Sequence, residues 1–158
     1  MELHPEAYRS LVEGAPAILY IDRPDERSTN LYTSPQIVEL LGYGVDEWMK
    51  DADLWVRCLH SDDRERVVQQ HQVSNLRGDR FLEEYRILAK DGREVWIRDE
   101  ATPVVGEEGT VLFWRGVMVD ITAQKHAEAQ LRSSLEEVRR MMGQRRELAQ
   151  LLESAQEE

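Results

Sequence analysis

Residues 81–121 read FLEEYRILAKDGREVWIRDEATPVVGEEGTVLFWRGVMVDI, and this stretch decides the fold. It contains three runs in which apolar and polar residues recur with the period of two that is typical of β-strands. Asp91 and Gly92 separate the first two runs, and an Asp-Gly pair is a strong hairpin signal. The segment GEEG at 106–109 supplies a second turn. The stretch therefore predicts three consecutive antiparallel strands.

Two shorter strand-like runs lie upstream, PAILYID at 16–22 and LYTS at 31–34. Helix signals fill much of the rest: Pro35 through IVELL to Gly42, short turns over 45–59, and a run from Ser61 to about Arg77 that Gly78 ends. Ser61, Asp62 and Asp63 offer the oxygens that would cap the start of this last helix. A further short helix is predicted over 5–13. Strands at both ends with helices between them predict an α+β domain with one sheet, over residues 1–121.

The pattern changes at Thr122, from which residues 122–158 are predicted to form one long amphipathic helix. Its apolar residues fall on a seam with 4-3-4 spacing that is interrupted by Arg145, which favours pairing with another helix. A single helix packed on its own domain is the alternative. The sequence stops within this helical pattern, so we expect a truncated piece of a longer protein. The seam consists of Leu131, Leu135, Val138, Met142, Ala149 and Leu152.

Composition limits the function. The formal net charge is -11, whereas a protein that binds phosphates needs a basic face, so we expect no nucleic acid partner. Cys58 is the single cysteine, which fits a reducing cytoplasm. No run approaches 18 apolar residues, and the first ten residues lack a signal-peptide pattern. We therefore expect a cytoplasmic protein without a membrane span.

Four segments in order resemble the PAS family with its C-terminal motif: SPQIVELLGY (34–43), LHSDDRERV (59–67), EYRILAKDGREVWIRDEATPV (84–104) and WRGVMVDITAQKHAEAQL (114–131). The resemblance covers about residues 8–131. It implies a five-stranded antiparallel sheet with helices on one face and a ligand between the two. It also implies that Asp120, Ile121 and Thr122 relay a signal into a helical linker, which drives a kinase, phosphatase, cyclase or transcription module.

Haem and flavin are disfavoured as cofactors. His71 lies on the segment where haem-binding relatives carry their axial histidine, but its position does not match theirs. The reactive-cysteine motif of flavin-binding relatives is missing, and Cys58 is expected to be a small buried side chain. The strand positions where those relatives place polar amides correspond to Ile87, Ile97 and Met118, which are apolar. No pair of histidines has the spacing of a helical metal site, so no metal is expected.

By position in the strands, a ligand-binding wall is expected from residues on the helix side of the sheet, closed by three residues from the helices. Gly116 favours a ligand because a mid-strand glycine often marks a close approach. Asp99 falls on the same face, and we place it near the rim. The alternative is an ordinary packed core. The wall comprises Leu19, Ile21, Tyr85, Ile87, Ile97, Trp114, Gly116 and Met118, with Ile37, Leu41 and Val68 from the helices.

A lipophilic guest such as a fatty-acyl chain fits this apolar wall, with Arg57 and Arg64 as candidate partners of its carboxylate. The opposite sheet face carries Leu82, Leu88, Trp96, Phe113, Val117 and Val119. We expect it to be covered by the N-terminal helix, through Leu3, Tyr8 and Leu11, and by a second copy in a homodimer.

The sequence therefore predicts a sensory module that binds a small ligand, relays a signal to an output domain, or does both. A purely structural dimerisation module with a filled core is the alternative. We expect that the chain is not an enzyme, because it has no phosphate-binding loop or nucleophile elbow, and an enzyme is the third and weakest alternative.

Overall fold

A computed structural model of the protein describes residues 4–156. Leu3, which was expected to help cover the sheet, lies outside these residues. The elements are α1 (Pro5–Glu13), β1 (Ile18–Asp22), β2 (Asn30–Thr33), α2 (Gln36–Leu41), α3 (Val45–Lys50), α4 (Leu54–Cys58), α5 (Ser61–Arg77), β3 (Phe81–Leu88), β4 (Glu94–Val105), β5 (Val111–Asp120) and α6 (Thr122–Gln156).

The five strands form one antiparallel sheet in the order β2-β1-β5-β4-β3. β1 therefore pairs with β2 on one side and with the last strand, β5, on the other, and the β3–β4–β5 meander completes the sheet. This confirms the predicted α+β fold and the three consecutive strands of residues 81–121.

Two left-handed glycines end helices where the sequence predicts it. Gly42 closes α2 at φ 76° and Gly78 closes α5 at φ 67°. The Gly78 N–H donates to the carbonyl of Ser74, which satisfies one of the last helical acceptors. Each glycine turns the chain without the steric cost that a Cβ would bring.

The core lies between the sheet and helices α2–α5. Ile37 and Leu41 of α2 are fully buried, as are Tyr85, Ile87 and Ile97 of the sheet. Complete burial of an aliphatic side chain of this size contributes about 1.5–3 kcal/mol. The packing fixes the helices over one face of the sheet.

The predicted facing of β1 is wrong by one residue. Ile18 pairs with Met118 and Tyr20 with Gly116, whereas Leu19 pairs with Val117. Directly paired residues share a face, so Leu19 and Ile21 point to the outer face of the sheet and cannot line the inner wall. The run ILYID carries apolar or aromatic residues on both faces, so the sequence pattern alone does not show which of them face the helices.

The chain divides into two compact units, one reaching to Thr122 and the other starting at Ala123. The second unit is the helix α6 after its first residue, with its apolar seam exposed to solvent in the single chain. Within residues 4–156, no helix is long and apolar enough to cross a membrane.

Candidate ligand cavity

A cavity of about 260 Å³ opens between the β1–β2 edge of the sheet and helices α3–α5. This volume lies just below the roughly 300–1,000 Å³ that holds drug-sized ligands, so the cavity fits a smaller molecule. Its lining mixes aromatic, acidic and amide side chains. The residues are Ile18, Tyr20, Asp22, Glu26, Arg27, Ser28, Asn30, Thr33, Trp48, Asp51, Ala52, Asp53, Trp55, Val56, Val68, His71, Gln72, Asp99 and Met118.

Asp99 of β4 is a buried carboxyl group in the cavity wall, only 2% exposed. The Tyr20 hydroxyl donates to its Oδ1 at 2.8 Å and the Tyr85 hydroxyl to its Oδ2 at 2.7 Å. The Trp55 indole in turn donates to the Tyr85 oxygen at 2.9 Å. Burial raises the pKa of Asp99 to about 6, and the two tyrosine hydrogen bonds limit that rise. Asp99 therefore lies buried in the cavity wall, and the prediction that it lies near the rim is wrong.

Asp22, the last residue of β1, is a second acid in the wall. Its Oδ1 accepts a hydrogen bond from the Asn30 amide at 2.8 Å. Asn30 is itself oriented, because its Oδ1 accepts the Thr33 hydroxyl at 2.8 Å. Burial raises the pKa of Asp22 to about 7, the Asn30 bond opposes this, and the negative charge of Asp99 adds to it. The cavity therefore holds two carboxyl groups that titrate close to neutral pH.

Aromatic rings form the opposite side of the cavity. The ring centroids of Trp55 and His71 lie 5.1 Å apart, and those of His71 and Phe81 lie 5.7 Å apart. Burial lowers the pKa of His71, so its imidazole is neutral at neutral pH. His71 therefore acts in this wall as an aromatic surface. Trp48 completes the wall from α3.

The lining carries a strong negative bias, with Asp22, Glu26, Asp51, Asp53 and Asp99 as its acids. Arg27 is the single Lys or Arg that lines the cavity within the described part of the chain. Arg57 lies nearby but pairs with Asp51. The electrostatic environment is thus hostile to an anion and favourable to a cation.

Gly116 leaves no free space for a ligand, although its mid-strand position favours one. A Cβ placed at Gly116 would lie 1.9 Å from Cζ of Tyr20. The glycine is needed because the Tyr20 ring crosses β5 on its way to Asp99. The close approach predicted at Gly116 is real, but its partner is a side chain of the protein.

The remaining residues that were expected to form the ligand-binding wall lie in the cavity lining, beside it, or in the packed core. Val68 and Met118 line the cavity, and Trp114 borders a small extension of about 20 Å³ beside it. Ile37, Leu41, Tyr85, Ile87 and Ile97 are fully buried and belong to the packed core. The sequence argument missed Tyr20, Asp22 and Asn30. One available signal was Asp99, a charged residue on an otherwise apolar strand face.

The two arginines considered for a carboxylate ligand are already engaged. Arg57 binds Asp51, and the Arg64 guanidinium donates to the backbone carbonyls of Arg57 and Leu59 at 3.2 and 2.9 Å. Cys58 is buried, as expected, and its thiol donates to the Tyr43 oxygen at 3.4 Å.

The strand-to-helix junction lies at Asp120–Thr122. β5 ends at Asp120 and α6 begins at Thr122, whose N–H donates to Asp120 Oδ1 at 2.8 Å. Trp96 of β4 forms hydrogen bonds with the two residues that follow Asp120. The Ile121 N–H donates to the Trp96 carbonyl at 2.9 Å, and the Trp96 N–H donates to Thr122 Oγ1 at 2.9 Å. A displacement of β4 or β5 is thereby coupled to the first residue of the helix.

The outer sheet face is only partly covered in the single chain. Leu82 and Val117 are 47% and 36% exposed. Val12 of α1 lies with Leu19 and Ile21 around one groove on this face. Tyr8 and Leu11 remain 55% and 67% exposed, so these two side chains do not cover it.

The sequence model of the PAS fold matches residues 30–118. This match spans more than half of the chain, and the protein therefore belongs to the PAS fold family. It is a PAS sensor module, homologous to sensor regions of histidine kinases and diguanylate cyclases.

Three relatives illustrate the relationship. The chain is 30% identical over 122 residues to the methyl sulfide methyltransferase-associated sensor of Methanosarcina acetivorans, covering 76% of this chain and 12% of that protein. It is 32% identical to the N-terminal domain of a diguanylate cyclase with PAS/PAC sensor from Marinobacter aquaeolei, with a TM-score of 0.64, covering 70% of this chain and 99% of that structure. A sensory box histidine kinase/response regulator from Burkholderia thailandensis is 28% identical, with a TM-score of 0.65, covering 84% and 98% of the two chains. The chain thus spans about an eighth of the length of the Methanosarcina acetivorans sensor.

Proposed function

We propose that this PAS module senses a small molecule bound in the cavity between β1, β4 and helices α3–α5, and transmits the occupied state through the start of α6 to an output domain. The observation that carries the proposal is the buried Asp99 carboxyl group, held by two tyrosine hydroxyls in the wall of a cavity. A buried charge-bearing group is costly for folding, and such groups concentrate at functional sites.

The relay follows from the strands. Asp99 pairs with Met118 across β4 and β5, and Ile97 pairs with Asp120 farther along the same two strands. Trp96, three residues before Asp99, holds the two residues through its own backbone groups: its carbonyl accepts the Ile121 N–H, and its N–H donates to the Thr122 side-chain oxygen. A ligand that draws Asp99 into the cavity would therefore bias the geometry at the helix start. The candidate output domains are a kinase, cyclase, phosphatase or transcription regulator.

A structural dimerisation module is the second candidate, favoured by the complete packing of the core around Ile87 and Ile97. The exposed heptad seam of α6 supports pairing with a second copy under either candidate. The two functions differ in whether the cavity is occupied. A fatty-acyl ligand is disfavoured, because the cavity lining is acidic and both arginines are engaged by other groups of the protein.

The test is an extraction experiment on three purified proteins. Val68→Phe places an aromatic ring at the cavity wall, and Leu76→Phe makes a comparable change at an 89% exposed position of the same helix. Visible absorption first tests for haem and flavin. Mass spectrometry of solvent extracts should then find a small molecule in near-stoichiometric amount with wild type and Leu76→Phe, and at least fivefold less with Val68→Phe. Equal amounts from all three proteins would remove the cavity as the binding site.

A further inference from the structure

We propose that the cavity takes a small organic cation, an ammonium-type ligand held between the carboxyl groups of Asp22 and Asp99 and against the rings of Tyr20 and Trp55. This inference rests on the proposed sensory function and adds the chemical class of the ligand.

The acid pair comes from two strands that both border the cavity. Asp22 ends β1 and Asp99 lies in β4, with the Tyr20 ring between the strands and hydrogen-bonded to Asp99. Each carboxylate retains acceptor sites beyond its mapped hydrogen bonds, because an ionised carboxyl group offers about four lone-pair sites. The pair can therefore accept N–H donors or face an alkylated ammonium group directly.

The rings give the second requirement for an organic cation. Ammonium groups bind over the faces of tryptophan and tyrosine, and the attraction grows as the site loses water. Trp48, Trp55 and Tyr20 all line the cavity, with Trp55 and Tyr20 half-buried. Carboxylates together with aromatic rings in one small cavity form a cation site rather than a general polar site.

Size and coordination argue against a bare metal ion. The described part of the chain contains no group of three His, Cys, Asp or Glu side chains arranged to hold one. At roughly 30 Å³ per water, 260 Å³ corresponds to about nine waters. This space suits a molecule of roughly that number of non-hydrogen atoms. The negative lining also disfavours small carboxylates and phosphates.

Binding of a cation should be linked to proton release from Asp22, whose pKa is raised to about 7. The ionised fraction falls about tenfold between pH 8 and pH 6, and the affinity for a cation of fixed charge should fall with it. The charged, titratable and amide groups around Asp22 come from every element that borders the cavity. They are Tyr20 in β1, Asp25, Glu26 and Arg27 in the β1–β2 loop, Asn30 in β2, Asp51 and Asp53 between α3 and α4, His71 and Gln72 in α5, and Asp99 in β4.

The experiment is calorimetric titration of the whole chain with methylammonium, tetramethylammonium and choline at constant ionic strength. The neutral isostere 3,3-dimethylbutan-1-ol controls for shape, and acetate controls for charge. At pH 8 at least one cation should bind. The affinity for the neutral isostere should be at least tenfold weaker, and acetate should give no heat of binding. Its dissociation constant should rise about tenfold at pH 6.

Two variants separate charge from fold. Asp22→Asn should weaken the cation at least tenfold at pH 8 and remove most of the pH dependence, while Glu107→Gln in the exposed turn between β4 and β5, away from the cavity, should change affinity less than threefold. Absence of binding by all three cations, or equal affinity for choline and its isostere, would overturn the inference. If the isostere or acetate binds instead and Val68→Phe blocks it, the sensory function survives and only the ligand class fails.

Discussion

Replacing Asp22 by asparagine should stabilise the unliganded protein at pH 8 and leave it nearly unchanged at pH 4. In the folded state the pKa of Asp22 is raised to about 7, whereas an unfolded aspartate titrates near 3.9. A group whose folded pKa is raised contributes stability below its unfolded pKa and loses that contribution as the pH rises through the folded value. The relevant window is therefore about pH 4 to 7.

The shift of about three pKa units corresponds to a ceiling of about 4 kcal/mol at 1.36 kcal/mol per unit. Asp22 is only half-buried, so we expect about 2 kcal/mol. Asparagine can keep the acceptor for the Asn30 amide, which makes the substitution nearly isosteric. For a domain of this size, 2 kcal/mol should raise the Tm by about 8 °C.

Urea unfolding monitored by circular dichroism at pH 4, 6 and 8 measures this effect, with Glu26→Gln as the control for removal of an exposed charge. The difference between Asp22→Asn and wild type should grow with pH, and the control should stay within about 0.5 kcal/mol at every pH. If Asp22→Asn is equally stabilised at pH 4 and pH 8, or is destabilised at pH 8, then the ionised Asp22 carboxylate does not destabilise the folded protein and the reasoning is refuted.

Three further predictions concern packing, the relay and assembly. Gly116→Ala should lower the free energy of unfolding by about 1–3 kcal/mol because its methyl group displaces the Tyr20 ring, and thermal melting should detect the loss. Asp120→Ala removes an exposed helix cap worth about 1 kcal/mol or less, so the Tm should fall by only a few degrees. In a longer chain that carries an output domain, the same substitution should change the output activity at least threefold. Unchanged output activity would contradict the relay. Sedimentation should show a dimer of the chain that Leu135→Asp weakens at least tenfold and Ser133→Asp, off the seam, does not; a monomer at high micromolar concentration would rule the dimer out.

The fold was predictable because its signals are local. The alternation in residues 81–121, the Asp-Gly hairpin and the helix-ending glycines each depend on a few neighbouring residues. The cap of α5 differed in detail, since His60 Nδ1 accepts the Asp62 N–H although Ser61 and the two following aspartates were expected to supply the cap. Such a difference leaves the helix boundaries unchanged.

The site was less predictable because it depends on strand phase and on long-range contacts. ILYID has apolar or aromatic residues on both faces, so alternation could not show that Tyr20 and Asp22 point inward. The reason for Gly116 is Tyr20, which lies 96 residues earlier in the chain. The polar partners of Asp99 are likewise distant in sequence, and only the folded sheet brings them together.

The methyl resonance of Met118 tests the sensing cavity most directly. Among the described residues, Met118 is the one methionine that lines the cavity; Met49 lies in α3, and Met141 and Met142 lie in α6. In protein labelled at the methionine methyl groups, a screen of small cationic, neutral and anionic compounds should shift the Met118 signal, with cations acting at the lowest concentration and Val68→Phe abolishing the response. If no compound of any class shifts Met118 while the protein remains folded, the cavity is not a sensing site and the filled-core module is the correct account.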